Sequence, residues 1–243
     1  MIQSPSPPRS ALTVEIAGVA GSGKSTLTRV ICTDSPDHRL DGPLRLRDRR
    51  HLPYIAHSIP RLVPLLGRAV TARRPPTWTE LKLIVYLMEW SRWLARRNDE
   101  RAGVTFIDQG PVYGFARLQR AAPPVAGTEP QSTWWASTTA IWADALDVIV
   151  WVDAPNEVLL ERVNTREQDH EIKGGSDAAG LKFIDSYRAS YETVLRSMES
   201  PSGPMVLRYD TSRQSAQEIA CDVLTRLGQL TNRSTACRGV ASS

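Results

Sequence analysis

Short apolar runs recur along the chain at residues 12–17, 104–108, 147–153 and 205–210, and between them the apolar spacing changes from continuous to helical. The runs at 104–108 and 147–153 are almost uninterrupted and end in Asp108 and Asp153, the pattern of strands buried on both faces of a parallel sheet. The intervening stretches predict helices. Residues 26–32 open the first. Residues 54–70 carry Ile55, Ile59, Leu62, Val63, Leu66 and Val70 at helical spacing, but Pro60 and Pro64 predict an interrupted element. Thr77 and Glu80 form a capping-box pattern that starts a long amphipathic helix, with Leu81, Val85, Met88 and Trp93 on its apolar face to about Arg97. A further helix starts near Asn156, and a last one spans about 215–230. Residues 33–53 are rich in Asp, Pro, His and Arg, with one short strand at 42–47. Strands alternating with helices imply an α/β fold: a three-layer, mostly parallel sheet of about five strands with helices on both faces. Ligands in such sheets bind beyond the carboxyl ends of the strands.

The whole chain narrows this further. Its 243 residues are 41% hydrophobic, enough for a buried sheet, and no apolar run approaches the roughly 18 to 20 residues that span a bilayer. No linker divides the middle, so one domain over 12–230 is expected, between a disordered leader at 1–11 and a disordered tail at 231–243. The leader lacks the apolar core of a secretory signal, which points to the cytoplasm. Cys32, Cys221 and Cys237 are far apart, with no metal-ligand spacing. The net charge of +4 is carried almost wholly by arginine, since the lysines are Lys24, Lys82, Lys173 and Lys182 alone. Arginine suits planar phosphate contacts. The arginines are scattered, without the interleaved aromatics or the recognition helix of a nucleic-acid binder, so nucleic acid is not the expected partner.

Residues 18–26, Gly-Val-Ala-Gly-Ser-Gly-Lys-Ser-Thr, spell the phosphate-binding loop GxxxxGK[ST] between a predicted strand and a predicted helix. In that context Gly18, Gly21, Ser22 and Gly23 let backbone N–H groups close around a polyphosphate, and the helix N-terminus adds its partial positive charge. Lys24 reaches the β/γ oxygens, Ser25 supplies a hydroxyl for Mg²⁺, and Thr26 completes the motif. Asp108, at the end of its strand, either organises Mg²⁺, takes the proton of an attacking hydroxyl, or caps the turn that follows. Asp153 has the same placement but runs into Ala154-Pro155, and reads as sheet-edge support. Arg162 and Arg166 lie four residues apart, on one helix face leading into a polar, glycine-ended loop over about 162–176. A guanidinium brought in by such a loop neutralises charge that develops on a transferring phosphoryl group. Arg166 is the first candidate for that role and Arg162 the second. Acceptor residues are expected over 54–142, with Arg73, Arg74, Arg92 and Arg96 as anion ligands and Trp78, Trp90, Trp134, Trp135 or Trp142 as stacking surfaces.

The loop at 18–26, the strand-end Asp108, the strand into Ala154-Pro155, the Arg162/Arg166 loop and Asp210-Thr211-Ser212 before the last helix together resemble the thymidylate kinase and deoxynucleoside kinase group of P-loop kinases. The resemblance covers about residues 11–230. It implies a phosphotransferase in which 162–176 is a mobile lid over ATP, and Thr211, Ser212 and Arg213 lie near the adenine. It also points to a homodimer. The chain departs from the group in the acceptor half. Asp108-Gln109-Gly110 stands where the group has Asp-Arg or Glu-Arg, which removes one ligand for an acceptor phosphate, and the Arg-Glu-Pro-Gly-Gly pattern after the first helix is absent. Asp48 is then a rival to Asp108 as general base. The resulting expectation is transfer of the γ-phosphoryl of Mg·ATP to a nucleoside or nucleoside monophosphate. A nucleotide-dependent regulatory protein and a kinase of a sugar, antibiotic or specialised metabolite are the alternatives.

Overall fold

The computed structural model describes residues 11–33, 38–41, 52–71, 73–99, 103–121, 125, 127–166 and 170–240. Among the described residues five strands form one parallel sheet: β1 (Ala11–Ala17), β2 (His38–Asp41), β3 (Gly103–Asp108), β4 (Val148–Asp153) and β5 (Met205–Asp210), in the order β2-β3-β1-β4-β5. β1 is central, with Ile16 opposite Asp108 of β3 and Val150 of β4. Chain progression reverses direction about β1, so the crevice beyond its carboxyl end is the place where an open sheet of this kind leaves room for a ligand.

The sheet separates two apolar layers, and β1 shows how. Val14 and Ile16 face the smaller layer, built on α1 (Lys24–Thr33) and α8 (Ala216–Val240), where Leu27, Ile31, Ile219 and Val223 pack. Ala17 faces the larger layer. That layer holds α2 (Leu52–Thr71), α3 (Trp78–Asp99), α4 (Pro111–Arg120), α5 (Thr133–Ala145), α6 (Asn156–Thr165) and α7 (Asp177–Met198). Alternation along the strand puts Glu15 on this second face, fully buried. Trp90, Trp135 and Trp142 fill the larger core, and the Trp142 indole donates to the Leu87 carbonyl at 2.8 Å, fastening α5 to α3.

The capping box at α3 forms as its spacing predicts. Thr77 N donates to Glu80 Oε2 at 2.7 Å, and Glu80 N donates back to Thr77 Oγ1 at 3.3 Å. Ser215 and Glu218 make the same exchange at α8.

Two local expectations change. α2 runs unbroken through Pro60 and Pro64. Both prolines are exposed, as are the Ala56 and Pro60 positions whose carbonyls lose a donor, so solvent takes the lost hydrogen bonds. Its buried stripe is Ser58, Leu62, Leu65 and Ala69, leaving Ile59, Val63 and Val70 exposed. A second strand not expected from the sequence is described at His38–Asp41; the strand expected at 42–47 and Asp48 itself lie outside the described residues. The last helix continues past Leu230 to Val240, since 231–238 contains no glycine or proline to stop a helix already nucleated by packing. Among the described residues no helix is long and apolar enough to cross a membrane.

Candidate active site

β1 delivers the phosphate-binding loop and α1 begins at Lys24, so the amides of the first helical turn face the crevice. Gly21 has φ +82°, and a Cβ there would sit 2.6 Å from the Leu159 carbonyl of α6. A side chain at this position would therefore lever the loop away from its support. Lys24 Nζ donates to the carbonyls of Gly18 and Val19, both at 2.8 Å, so the loop is closed on its own lysine. Burial pushes the ammonium down to about 8; Arg166 acts in the same direction, while Asp108 and Asp153 oppose it. Ser25 and Thr26 are exposed at the cleft. Ser22 is buried beneath the loop, and its hydroxyl meets no partner.

The cleft in front of the loop has a volume of about 970 Å³. Lys24, Ser25, Asp108, Arg162, Arg166 and Thr211 all border it, so most of the residues singled out in the sequence converge on one space. Arg162 is already engaged: Nη1 donates to Thr211 Oγ1 at 2.9 Å and Nη2 to the Thr211 carbonyl at 3.0 Å, tying α6 to the turn after β5. Arg166 differs. Among the described residues its buried Nε has no hydrogen-bond partner, while its carbonyl accepts from Lys173 Nζ, which folds the 170–176 segment back toward it. His170 rests edge-on against Phe183 of α7, and burial, reinforced by Arg166, lowers its pKa. Ser212 and Arg213 do not border the cleft. Ser212 N and Oγ donate to Asp210 Oδ1, and Arg213 pairs with Asp210 in the open; Gln214, Ser215 and Ala216 line that wall instead.

Asp153 supports the sheet edge. Its carboxylate takes Arg188 Nε at 2.7 Å and the Ala154 amide at 2.9 Å. The arginines expected to bind an acceptor are elsewhere. Arg74 bonds Glu80 at 2.7 Å, Arg73 and Arg92 are exposed away from the cleft, and the Arg96 side chain lies outside the described ones. Trp90, Trp135 and Trp142 are core, and no described tryptophan lines the cleft.

Two features beside Asp108 escaped sequence reasoning. Gln109 adopts a left-handed backbone, φ 55°, with its carbonyl accepting from Tyr86 Oη at 3.3 Å. For a residue other than glycine or asparagine this is a held, unfavourable conformation. The second is Glu15, whose Oε2 accepts from Val112 N at 3.0 Å and Oε1 from Tyr113 N at 3.2 Å, capping α4 from inside the core. Gly110 makes the approach possible, since a Cβ there would lie 2.5 Å from the Glu15 carboxyl carbon. Burial outweighs these amide bonds and pushes Glu15 up to about 8, with the Asp108 charge acting in the same direction. A lone acid in the middle of an apolar strand run was the available signal.

The donor set suits Mg²⁺. A magnesium ion in a phosphate site takes one or two protein oxygens and leaves the rest to water and phosphate. The Ser25 hydroxyl and Asp108 carboxylate are hard oxygen donors on the same cleft, and among the described residues no group of three or more His, Cys, Asp or Glu competes for a metal.

No protein-family model matches the chain, and no curated protein matches its sequence. Solved structures do resemble it. The thymidylate kinase of Candida albicans aligns at TM-score 0.52 with 13% identity, over 93% of both chains. The deoxyadenosine kinase of M. mycoides with bound dATP aligns at TM-score 0.48 with 12% identity, over 88% of this chain and 98% of that one. At such identity the likeness to the thymidylate kinase is one of fold alone: a parallel sheet layered between helices, as in that structure.

The buried carboxyl gives a pH signature. Folded, Glu15 titrates near 8; its ordinary value is 4.5. Between these the folded state holds a proton that the unfolded state has lost, so stability falls as pH rises through this window, by up to about 1.4 kcal/mol per unit. Denaturation midpoints from pH 5 to 8 are expected to show a shallower decline in Glu15→Gln than in the wild type. Parallel declines would contradict the buried acid.

Proposed function

We propose that the chain is a P-loop kinase that moves the γ-phosphoryl group of Mg·ATP to a small acceptor of the nucleoside or nucleotide type. The observation that carries this reading is the opposition across one cleft of a lysine-bearing phosphate loop and an arginine, Arg166, whose buried Nε has no partner of its own. A guanidinium whose Nε is unspent among the described residues is suited to charge that arrives with a ligand and grows during reaction.

In this reading the loop amides and Lys24 hold the β- and γ-phosphates, with Lys24 exchanging the Gly18 and Val19 carbonyls for phosphate oxygens. The acceptor oxygen forms a bond to the γ-phosphorus as the bond to the β–γ bridging oxygen breaks. Arg166 neutralises the equatorial oxygens in that transition state. Arg162, fixed to Thr211, keeps the lid base and the turn after β5 together around the nucleotide. Ser25 and Asp108 would hold Mg²⁺, which supplies charge neutralisation on the phosphates. Asp108 is also placed to take the proton of an acceptor hydroxyl, with Asp48 as the rival outside the described residues. Thr211, Gln214 and Ser215 form the wall for the base.

Steady-state transfer assays test the assignment. Lys24→Ala should lose about 10³-fold or more in turnover, and Arg166→Ala about 10³-fold in kcat with little change in triphosphate affinity. Near-normal turnover in both would overturn the kinase reading.

Lys24 provides a second, equilibrium test. An ammonium that titrates near 8 in the empty loop regains its proton when phosphate replaces the carbonyls. Calorimetry in buffers of different ionisation enthalpy should therefore record proton uptake on Mg·ATP binding at pH 8.5, growing from pH 7, and none in Lys24→Met. Equal uptake in both proteins would show that the proton goes elsewhere.

A further inference from the structure

The acceptor half of the cleft lacks the arginine that the resemblance leads one to expect after Asp108, and in its place has Gln109 in a left-handed conformation. The structure brings a different cation to this end. Tyr113 and Arg117, one turn apart on α4, both border the cleft, and Arg117 Nη1 donates to Tyr113 Oη at 3.1 Å. No carboxylate among the described residues pairs with Arg117. The acids on the cleft wall are Asp108, at the reaction centre, and Glu171, on the lid side.

The neighbouring arginine shows what a structural role looks like on the same helix. Arg120 donates Nε to Ser186 Oγ at 2.9 Å and stacks over Tyr187 at 4.0 Å and Phe183 at 4.4 Å, and does not itself border the cleft. Arg117 has none of these contacts, and its guanidinium is left to the cleft by the turn of the helix. The surroundings are aromatic. Tyr113, Phe183, Tyr187 and Tyr191 line this half, and the electrostatic influence of Arg117 reaches the Tyr187 hydroxyl, while that of Asp108 reaches Tyr191. The four rings and the guanidinium thus form one wall that leads from Asp108 outward.

Such a wall is poorly matched to a neutral, richly hydroxylated acceptor, which would leave many hydroxyls against rings. It matches a flat or apolar body whose far end is negative, because guanidinium groups bind planar or tetrahedral anions through paired N–H donors and rings take the body. We propose that Arg117 is the anion ligand of the acceptor half, and that the acceptor arrives already carrying a negative group, a phosphate or a carboxylate, on a ring-bearing or apolar body. This rests on the kinase reading of the cleft.

The test is calorimetric titration of the full-length protein, saturated with Mg²⁺ and the non-hydrolysable analogue AMP-PNP, against matched pairs: nucleosides and their 5′-monophosphates, phenol and phenyl phosphate, aromatic amides and the corresponding carboxylates. In the wild type at least one charged member should bind tenfold or more tighter than its neutral partner, and the chemistry of that pair separates phosphate from carboxylate. Arg117→Ala should erase the preference, about 10- to 100-fold, and leave the neutral member within twofold. Arg117→Lys, which keeps the charge without the fork, should retain part of it. Equal binding within every pair, a preference that survives in Arg117→Ala, or no binding by any charged member overturns the proposal. The preceding AMP-PNP titration in the same sample separates these outcomes from failure of the phosphate-loop reading, which would appear as no analogue binding at all.

Discussion

The buried contact between Glu15 and the first turn of α4 joins the two halves of the cleft. β1 ends in the phosphate loop, and two residues before that end its side chain crosses the core to accept the amides of Val112 and Tyr113. Asp108 and the left-handed Gln109 lie just before this anchored turn, and Tyr113 and Arg117 just after it. The residues on the α4 side of the cleft are therefore referenced to the same strand as the glycine-rich loop at 18–26. The arrangement is costly in isolation, since a buried carboxyl is offset here by protonation and the amides of Val112, Tyr113 and Gly110. It persists because the helix end would otherwise leave its own donors unsatisfied in the core.

Charge in the cleft is arranged in three grades of commitment. Lys24 is bonded to the Gly18 and Val19 carbonyls of its own loop. Arg162 is fixed to Thr211 and maintains shape. Among the described residues no carboxylate pairs with Arg166 or Arg117, which border the cleft from the end of α6 and from α4. In the proposed kinase reading these last two are the donors left for electrostatic preorganisation, which needs groups that are in place but unspent.

Most of the sheet and the nucleotide half were legible in the sequence because they rest on short-range rules. Strands 104–108 and 147–153 are apolar runs closed by Asp, the loop motif fixes its own strand and helix, and Arg162 and Arg166 follow from helical spacing. The acceptor half was not, because it depends on which residues distant in sequence meet. Arg74 looked available for an anion until its capping Glu80 claimed it, and the tryptophans looked like stacking surfaces until the larger core absorbed Trp90, Trp135 and Trp142. Tyr187 and Phe183 of α7 join Arg117 of α4 only through the fold. Pro60 and Pro64 misled for a similar reason: their helix-breaking cost falls where solvent replaces the lost bonds, which one-dimensional pattern does not record.

The most direct measurement of the central claim follows the fate of the terminal phosphoryl group. With γ-labelled ATP, Mg²⁺ and a mixed pool of small acceptors, the label should appear covalently on an acceptor, with release to water at least tenfold slower when acceptors are withheld. Label passing to inorganic phosphate at the same rate with and without acceptors would contradict a kinase and make the cleft that of a nucleotide-hydrolysing regulator.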